Sequence, residues 1–271
     1  MCARRQLDTV ALFARHPVFT LRQAVAALSS EGNRSRIRDR LRYHVEQGTL
    51  RLLERELYAV APANGRGSSF SVDAFLAAAA VRPDCIFAHH AALELLGAAH
   101  SIWRRMTVFT ASRRRSLDVD GYVIRFVAHP KCFRDSSDVT FATRTVEHAG
   151  EVLRATGPER TLVEGFRDLA EVGGPEEFVV SAAGFPTLDL DRLTSVLDRY
   201  DLHVLWSAVG WFLERHQRTF HVDDVVLSRF ERHRSKSPQY LVRGSRGGTL
   251  SSRWNLILPD DLLRTEAGDD S

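Results

Sequence analysis

Cysteine is scarce in this sequence of 271 residues. Its three cysteines, Cys2, Cys85 and Cys132, are odd in number and far apart, so they indicate neither a disulfide framework nor a zinc site. The sequence also lacks a run of about 18 apolar residues, and its N-terminal residues lack the apolar segment of a signal peptide. These absences argue against a secreted or membrane-spanning protein, so we expect a cytoplasmic protein that has no membrane partner.

Lysine is scarce as well. Only Lys131 and Lys236 are lysine among the 37 basic residues, which leaves two candidates for a catalytic lysine. Arginine supplies the remaining positive charge, and it is unevenly distributed: residues 1–62 contain 11 arginines against six carboxylates, whereas the rest of the chain is slightly acidic. A basic excess at one end favours contact with nucleic acid there, because binding releases counterions from the phosphates.

The segment Thr20–Val60 has the order of elements of a winged helix-turn-helix. Thr20 is placed to cap a short apolar helix, and Gly48 can take the positive φ that ends the next one. The charged turn Glu54-Arg55-Glu56 then separates two short strands. The predicted helices cover residues 6–15, 21–28 and 34–47, and the predicted strands cover 49–53 and 57–60. The first helix has an apolar stripe of Leu7, Val10, Ala11 and Ala14.

The helix over 34–47 carries the strongest functional signal. Ile37, Leu41 and Val45 are four residues apart and predict a buried stripe, so the arginines between them point outward or lie on the flanks. Exposed guanidinium groups can pair with phosphates or with the O6/N7 edge of guanine in the major groove. An ordinary solvated helix face is the alternative. The predicted DNA-binding residues are Thr20, Arg34, Ser35, Arg36, Arg38, Asp39, Arg40, Arg42 and Tyr43, with Arg51 and Arg55 on the wing.

Composition predicts two domains. The stretch from Pro62 to Ser69 is rich in small and flexible residues, which is typical of a linker. We therefore place a winged helix-turn-helix DNA-binding domain at 1–62, a linker at 63–70 and a larger mixed α/β domain at 71–271, which together give an α+β fold class. In the second domain the pattern predicts helices over 72–81 (capped by Ser71), 86–96, 175–183, 190–200, 202–215 and 222–231, one helix beginning at Gly157-Pro158, strands over 106–111, 121–128, 141–146 and 151–156, and an extended tail over 238–258.

The residues that could carry catalysis lack suitable neighbours. His89-His90 with Glu94 would need a third zinc ligand, and no His-Glu-x-x-His motif is present, so we expect core or cap histidines. Asp189 and Asp191 have the spacing of a two-metal pair, but a helical pattern continues after them and favours an N-terminal cap. We therefore expect no catalysis, no metal and no cofactor.

A nuclease is the strongest enzymatic alternative, because winged helices are sometimes fused to restriction-type catalytic domains. That chemistry uses an acidic-x-Lys triplet, which neither Lys131 nor Lys236 supplies. Magnesium-dependent cleavage of DNA would identify such an enzyme.

Four blocks of the sequence together carry a resemblance to a known family. They are Glu46–Arg51 with Glu56–Val60, Arg82–Leu93 with Leu96-Gly97, Gly157–Glu164, and Ser252–Pro259. These blocks resemble the AbiEi family, the antitoxin and transcriptional-regulator half of type IV toxin–antitoxin systems of phage defence by abortive infection. Two departures are visible: Glu54-Arg55-Glu56 stands where the family's wing has a glycine, and Glu164 stands where the family has Asp.

The resemblance implies that the N-terminal domain binds duplex DNA at the protein's own promoter and represses it. It also implies an antitoxin-type C-terminal domain that counteracts a nucleotidyltransferase-like toxin. A stand-alone winged-helix transcription factor, whose C-terminal domain senses a ligand or dimerises, would share every feature derived from the residues. A downstream gene encoding a Gly-Ser…Asp-x-Asp protein would favour the antitoxin. The oligomeric state and the operator sequence stay open.

Overall fold

The protein is a mixed α+β chain with several β-sheets, and its computed structural model describes residues 2–28, 33–62, 70–112, 114–135 and 137–264. The chain divides into two compact units. The first comprises Met1–Cys85 with Arg115–Ile124, and the second comprises Ile86–Arg114 with Arg125–Ser271. This division differs from the predicted domains at 1–62 and 71–271, because a helix after the linker belongs to the first unit. The predicted linker over 63–70 lies outside the described residues, apart from Phe70.

The helices in chain order are α1 (Cys2–Arg15), α2 (Leu21–Ala27), α3 (Arg34–Glu46), α4 (Ala74–Val81), α5 (His90–Leu95), α6 (Pro158–Arg167), α7 (Pro175–Ala183), α8 (Leu190–Tyr200), α9 (His203–Arg215), α10 (Gln217–Phe220), α11 (Asp224–Arg232) and α12 (Asp260–Arg264). The strands are β1 (Val18–Thr20), β2 (Leu50–Glu54), β3 (Leu57–Val60), β4 (Ile86–Ala88), β5 (Arg105–Thr110), β6 (Leu117–Val119), β7 (Tyr122–Ala128), β8 (Thr143–His148), β9 (Glu151–Thr156), β10 (Gln239–Tyr240), β11 (Thr249–Ser251) and β12 (Leu256–Leu258). None of the described helices is long and apolar enough to cross a membrane.

The first unit packs α1, α2 and α3 against a small antiparallel sheet of order β1-β3-β2. Strand β1 has no counterpart among the predicted elements, because three residues are too few to show an alternating pattern. Its Phe19 is fully buried and stacks on Tyr58 of β3. One hydrophobic cluster of this unit contains Leu12, Phe19, Leu21, Ala24, Leu28, Ile37, Leu41, Leu50 and Tyr58.

The predicted stripe on α1 is wrong. Val10, Ala11 and Ala14 are exposed, and the helix buries Thr9 and Leu12 instead; the side chain of Leu7 lies outside the described residues. Both sets of positions have helical spacing, so periodicity alone could not choose between them. The helix face that includes Phe13 points inward. The Phe13 ring stacks on Phe19 with 5.8 Å between the ring centroids, and it packs edge to face with His44.

The start of α4 also differs from the prediction, which placed a cap at Ser71. Asp73 caps this helix, because its Oδ1 accepts hydrogen bonds from the backbone N–H groups of Phe75 at 2.8 Å and Leu76 at 3.1 Å. The helix therefore begins two residues later than predicted. The rest of the first unit includes β6, which pairs antiparallel with the beginning of β7.

In the second unit β7, β5, β4, β9 and β8 lie side by side in this order. The prediction of a helix over 86–96 is wrong in its first half, where Ile86–Ala88 forms β4. This strand pairs antiparallel with β5 and parallel with β9, and all three of its residues are buried. A short apolar run is compatible with a buried strand or a buried helix, so only the neighbouring strands decide between them.

Helices of the second unit pack around a hydrophobic core that contains the fully buried Trp254. Pro158 at the first turn of α6 and Asp189 at the N-cap of α8 stand where the sequence predicts helix starts, and both predictions are confirmed. The C-terminal tail forms a small sheet of order β10-β12-β11. Trp254 packs so closely on α9 that a Cβ atom at Gly210 would lie 2.1 Å from its ring.

Candidate nucleic-acid interface

Side-chain caps fix the starts of α2 and α3. Thr20 Oγ1 accepts a hydrogen bond from the backbone N–H of Gln23 at 3.3 Å, and Gln23 Oε1 accepts one from the Thr20 N–H at 2.7 Å. This reciprocal arrangement is a capping box, so the predicted cap at Thr20 is confirmed. At α3, Asn33 Oδ1 accepts from the N–H of Arg36 at 3.1 Å. Gly48 follows the end of α3 with φ +70°, as the sequence predicts.

Helix α3 has one buried face and one strongly basic exposed face. Ile37 and Leu41 are buried and confirm the predicted stripe, whereas Val45 is half-buried. The opposite face is open to solvent because nothing in the first unit covers it among the described residues. The exposed predicted DNA-binding residues of this helix are Arg34, Ser35, Arg36, Arg38, Asp39, Arg42 and Tyr43.

Arg36 and Arg42 have uncommitted guanidinium groups. Both are exposed, and neither forms an ion pair with a residue in the described part of the chain. A guanidinium group presents five N–H donors in a planar fork that matches two acceptors on a phosphate or a guanine. These two side chains are therefore available to an incoming anionic or base-edge acceptor.

Glu56 binds the other two exposed arginines of α3. Arg34 Nη2 donates to its two carboxylate oxygens at 2.9 and 2.8 Å, and Arg38 Nη2 donates to Oε1 at 2.7 Å. The hydrogen bond from Arg34, helped by Arg38, holds the pKa of the Glu56 carboxyl below its usual value. Glu56 has φ +67°, the left-handed conformation that glycine adopts without strain. The turn thus keeps a glycine-like backbone and gains a carboxylate that ties it to α3.

Arg40 lies on the flank of α3 that faces α1. It is half-buried, and its Nη1 donates to Thr9 Oγ1 at 3.3 Å. Burial, followed by the nearby charge of Arg40, lowers the pKa of His44. Arg40 therefore contributes to packing between two helices, in addition to any role on the exposed face.

Arg51 is held inside the first unit. Its Nη2 and Nη1 donate to the two oxygens of Asp120 at 2.6 and 3.1 Å, and Nη1 also donates to the carbonyl of Phe70 at 2.9 Å. Asp120 Oδ2 accepts from the N–H of Val72 as well, and the hydrogen bond from Arg51 lowers the pKa of Asp120. These contacts occupy the guanidinium, so we leave Arg51 out of the DNA-contacting set. Arg55 is exposed at the β2–β3 turn and stays in that set.

Glu56 and Asp120 bind arginines of the predicted DNA-binding set, and the sequence did not predict these ion pairs. Asp120 lies 69 residues from Arg51, and no local pattern connects the two. For Glu56 the sequence does contain an indication, because the turn has a charged residue where the AbiEi family, which the sequence resembles, has a glycine.

His90 and Asp189, which were considered as possible metal ligands or catalytic residues, make contacts within the fold. His90 is buried, with Nδ1 3.0 Å from Glu94 Oε1 and its ring against the edge of Trp103. Asp189 Oδ1 accepts from the N–H of Arg192 at 3.0 Å as a helix cap. Within the described ranges no three His, Cys, Asp or Glu side chains are grouped so that they could hold a metal ion.

Comparisons with known proteins bear on the fold. No protein-family model matches the sequence, and no curated protein matches it either. Among solved structures, the chain is similar to the crystal structure of the RV2827C protein from Mycobacterium tuberculosis, with a TM-score of 0.65 and 16% sequence identity. That match covers 97% of this chain and 95% of the other. At this identity the likeness shows a shared fold.

Proposed function

We propose that this protein is a DNA-binding transcriptional regulator whose N-terminal part is a winged helix-turn-helix. The observation that carries the proposal is the exposed face of α3, where Arg36 and Arg42 have no carboxylate partner in the described residues. In the proposed complex α2 crosses the DNA backbone and α3 enters the major groove.

Each exposed side chain of α3 has a suitable acceptor or donor on duplex DNA. Arg36 and Arg42 match the O6/N7 edge of guanine, and Asp39 can accept from the amino group of cytosine. Arg34 and Arg38, which Glu56 holds near the β2–β3 turn, are positioned for phosphates, as is Arg55 in that turn. Base contacts would provide specificity, and phosphate contacts would provide salt-dependent affinity.

The resemblance to the AbiEi family supports the finer proposal: repression of the protein's own promoter, and antitoxin activity against a nucleotidyltransferase-like toxin. Each of its four blocks contains buried residues, which in the first block are Leu50 and Leu57–Ala59. Every residue of Pro158–Phe166 is buried, as are β4 and Trp254. The blocks therefore support a common fold, and the partners remain proposals. We propose no catalytic role for this chain.

The DNA-binding proposal is tested by fluorescence anisotropy of the full chain on its own upstream duplex and on a scrambled duplex, at several salt concentrations. We expect tight binding to the upstream duplex alone and a steep loss of affinity as salt rises. Equal and weak binding to both duplexes would show that α3 is a solvated basic helix face that does not recognise a DNA sequence. Incubation of the same duplexes with magnesium tests for a nuclease, and intact DNA is expected.

The antitoxin proposal is tested in cells that express the neighbouring gene, if its product carries Gly-Ser…Asp-x-Asp. Co-expression of this chain is expected to restore growth. The double variant R36A/R42A should restore it equally from a heterologous promoter, which separates neutralisation from DNA binding. Growth arrest that this chain leaves unchanged would favour the stand-alone regulator, for which the cavity lined by His89, Lys131 and Arg134 offers a site for a ligand.

A further inference from the structure

The second unit contains a cavity of about 640 Å³. This volume lies within the range of small-molecule sites, roughly 300–1,000 Å³. Its walls come from segments that are distant in sequence: the end of β4, strands β5 and β7, the loop Pro130–Arg134, and the ends of α6 and α8. No role in DNA binding has been assigned to any of these segments.

The cavity has an excess of positive charge. Five cationic side chains line it against two carboxylates, Asp168 and Glu171. Three of the cations are paired with acids: Arg125 with Glu171, Arg167 with Asp168 at 3.5 Å, and Arg199 with Asp138 at 2.9 Å.

Lys131 and Arg134 supply the positive charge that remains. Both are exposed and lie on one loop, and neither forms an ion pair within the described ranges of the chain. Arg134 Nε donates to the carbonyl of His129 at 2.8 Å, which fixes the base of that side chain and leaves its terminal N–H groups available. The pair therefore offers an ammonium and a guanidinium group to an anion.

His89 lines the same cavity with an unsatisfied polar ring. It is only 4% exposed, Nδ1 has no hydrogen-bond partner in the described residues, and Nε2 faces Asp168 Oδ2 at 3.7 Å, which is longer than an ordinary hydrogen bond. Its backbone, at φ +55° and ψ −130°, is in a region that L-residues rarely adopt. The edge of Phe109 meets the ring at 5.6 Å between centroids. A buried polar atom without a protein partner is one that a bound molecule, an ion or a water can satisfy.

We propose that this cavity binds an organic phosphate of nucleotide size. A phosphate presents several acceptor oxygens in different directions, which suits an ammonium and a guanidinium group from the segment Pro130–Arg134 and an imidazole N–H from His89, all of which line this cavity. The volume exceeds that of a free phosphate, and the apolar side chains of Val127 and Leu202 are available to an organic portion. This inference goes beyond the proposed DNA-binding function and does not depend on it.

The test is isothermal titration calorimetry of the full chain with three probes: ADP, inorganic pyrophosphate and adenosine. We expect saturable binding of ADP, weaker binding of pyrophosphate and no binding of adenosine. The double variant K131Q/R134Q should lower ADP affinity about tenfold or more, since it removes both unpaired charges. Variant R218Q changes an exposed arginine outside the cavity and serves as the matched control.

Two further variants locate the site. R36Q/R42Q should bind ADP as the wild type does, which excludes attraction to the basic face of α3. His89→Phe keeps the ring and removes its N–H groups, so ADP binding should weaken while the melting temperature stays the same or rises. The proposal is overturned if ADP gives no saturable binding, if adenosine binds as tightly as ADP, or if K131Q/R134Q binds ADP with wild-type affinity while its thermal unfolding is unchanged.

Discussion

Glu56 accepts a hydrogen bond from Arg38 at 2.7 Å, and this contact joins the β2–β3 turn to α3. Arg34 reinforces the contact with two bonds to the same carboxylate. A carboxylate thus lies on the basic face that we propose to meet DNA. It positions two arginines, and it also competes with phosphate groups for them.

Glu56→Gln should strengthen DNA binding at low salt and make it more dependent on salt. The substitution keeps the side-chain length but removes the charge, so Arg34 and Arg38 become available to phosphates. Each added phosphate contact changes the slope of log affinity against log salt by about 0.9, and anisotropy titrations over a salt series measure that slope. A slope equal to that of the wild type would show that Glu56 does not compete with phosphates for these arginines.

Arg36→Ala and Arg42→Ala should each weaken binding to the upstream duplex by about 1–3 kcal/mol, since each removes a free guanidinium from the proposed contact face. Binding to a scrambled duplex should fall less, because base contacts contribute only to the specific complex. Arg218→Ala, outside the first unit, is the control. Wild-type affinity in both α3 variants at fixed salt would contradict the proposed placement of α3.

Arg51→Ala should destabilise the first unit by about 1 kcal/mol at pH 7 and leave the salt slope of DNA binding unchanged. The folded-state pKa of Asp120 is lowered by the hydrogen bond from Arg51, so the pair stabilises the fold above the unfolded-state pKa of about 4 and loses that contribution as the pH falls below it. Thermal unfolding of wild type and variant should therefore converge in acid. Arg55→Ala is the matched control and should unfold at the same temperature as the wild type. If Arg51→Ala instead showed a smaller slope of log DNA affinity against log salt, Arg51 would have to contact the DNA.

Arg160→Ala should destabilise the second unit by about 3–5 kcal/mol, because it leaves Glu164 buried without its charge partner. Arg160 Nε donates to Glu164 Oε1 at 2.8 Å, both side chains are fully buried, and Tyr200 Oη donates to the same oxygen at 2.8 Å. Burial, together with the charge of Glu164, also raises the pKa of Tyr200.

Urea unfolding measures this loss of stability. Glu164→Asp, which introduces the residue of the resembling family, should cost less because it keeps the charge and shortens the reach. Arg192→Ala removes an exposed arginine of α8 and should change stability by no more than about 0.5 kcal/mol. A loss in Arg160→Ala as small as that of Arg192→Ala would contradict the role given to the buried pair.

Local signals in the sequence predicted the helix starts that depend on local chemistry. The cap at Thr20, Pro158 in the first turn of α6 and the acidic cap at Asp189 each act over three residues or fewer, so their effect is visible in a short window. The buried stripe of Ile37 and Leu41 was predictable for the same reason, since helical periodicity fixed the exposed face of α3 once those two residues were assigned to the core.

The sequence by itself determined the arginine content of α3, the outward direction of Arg36 and Arg42, and the caps that place that helix. Only the tertiary structure decided which face of α1 is buried, that Ile86–Ala88 is a strand, and that Glu56 and Asp120 hold arginines that had been predicted to meet DNA. It also brought His89, Lys131 and Arg134 around one cavity. The physical reason is the distance along the sequence over which each interaction acts. Helix caps and helical periodicity involve residues only a few positions apart, whereas strand pairing, these ion pairs and the lining of a cavity involve segments that only the folded chain brings together.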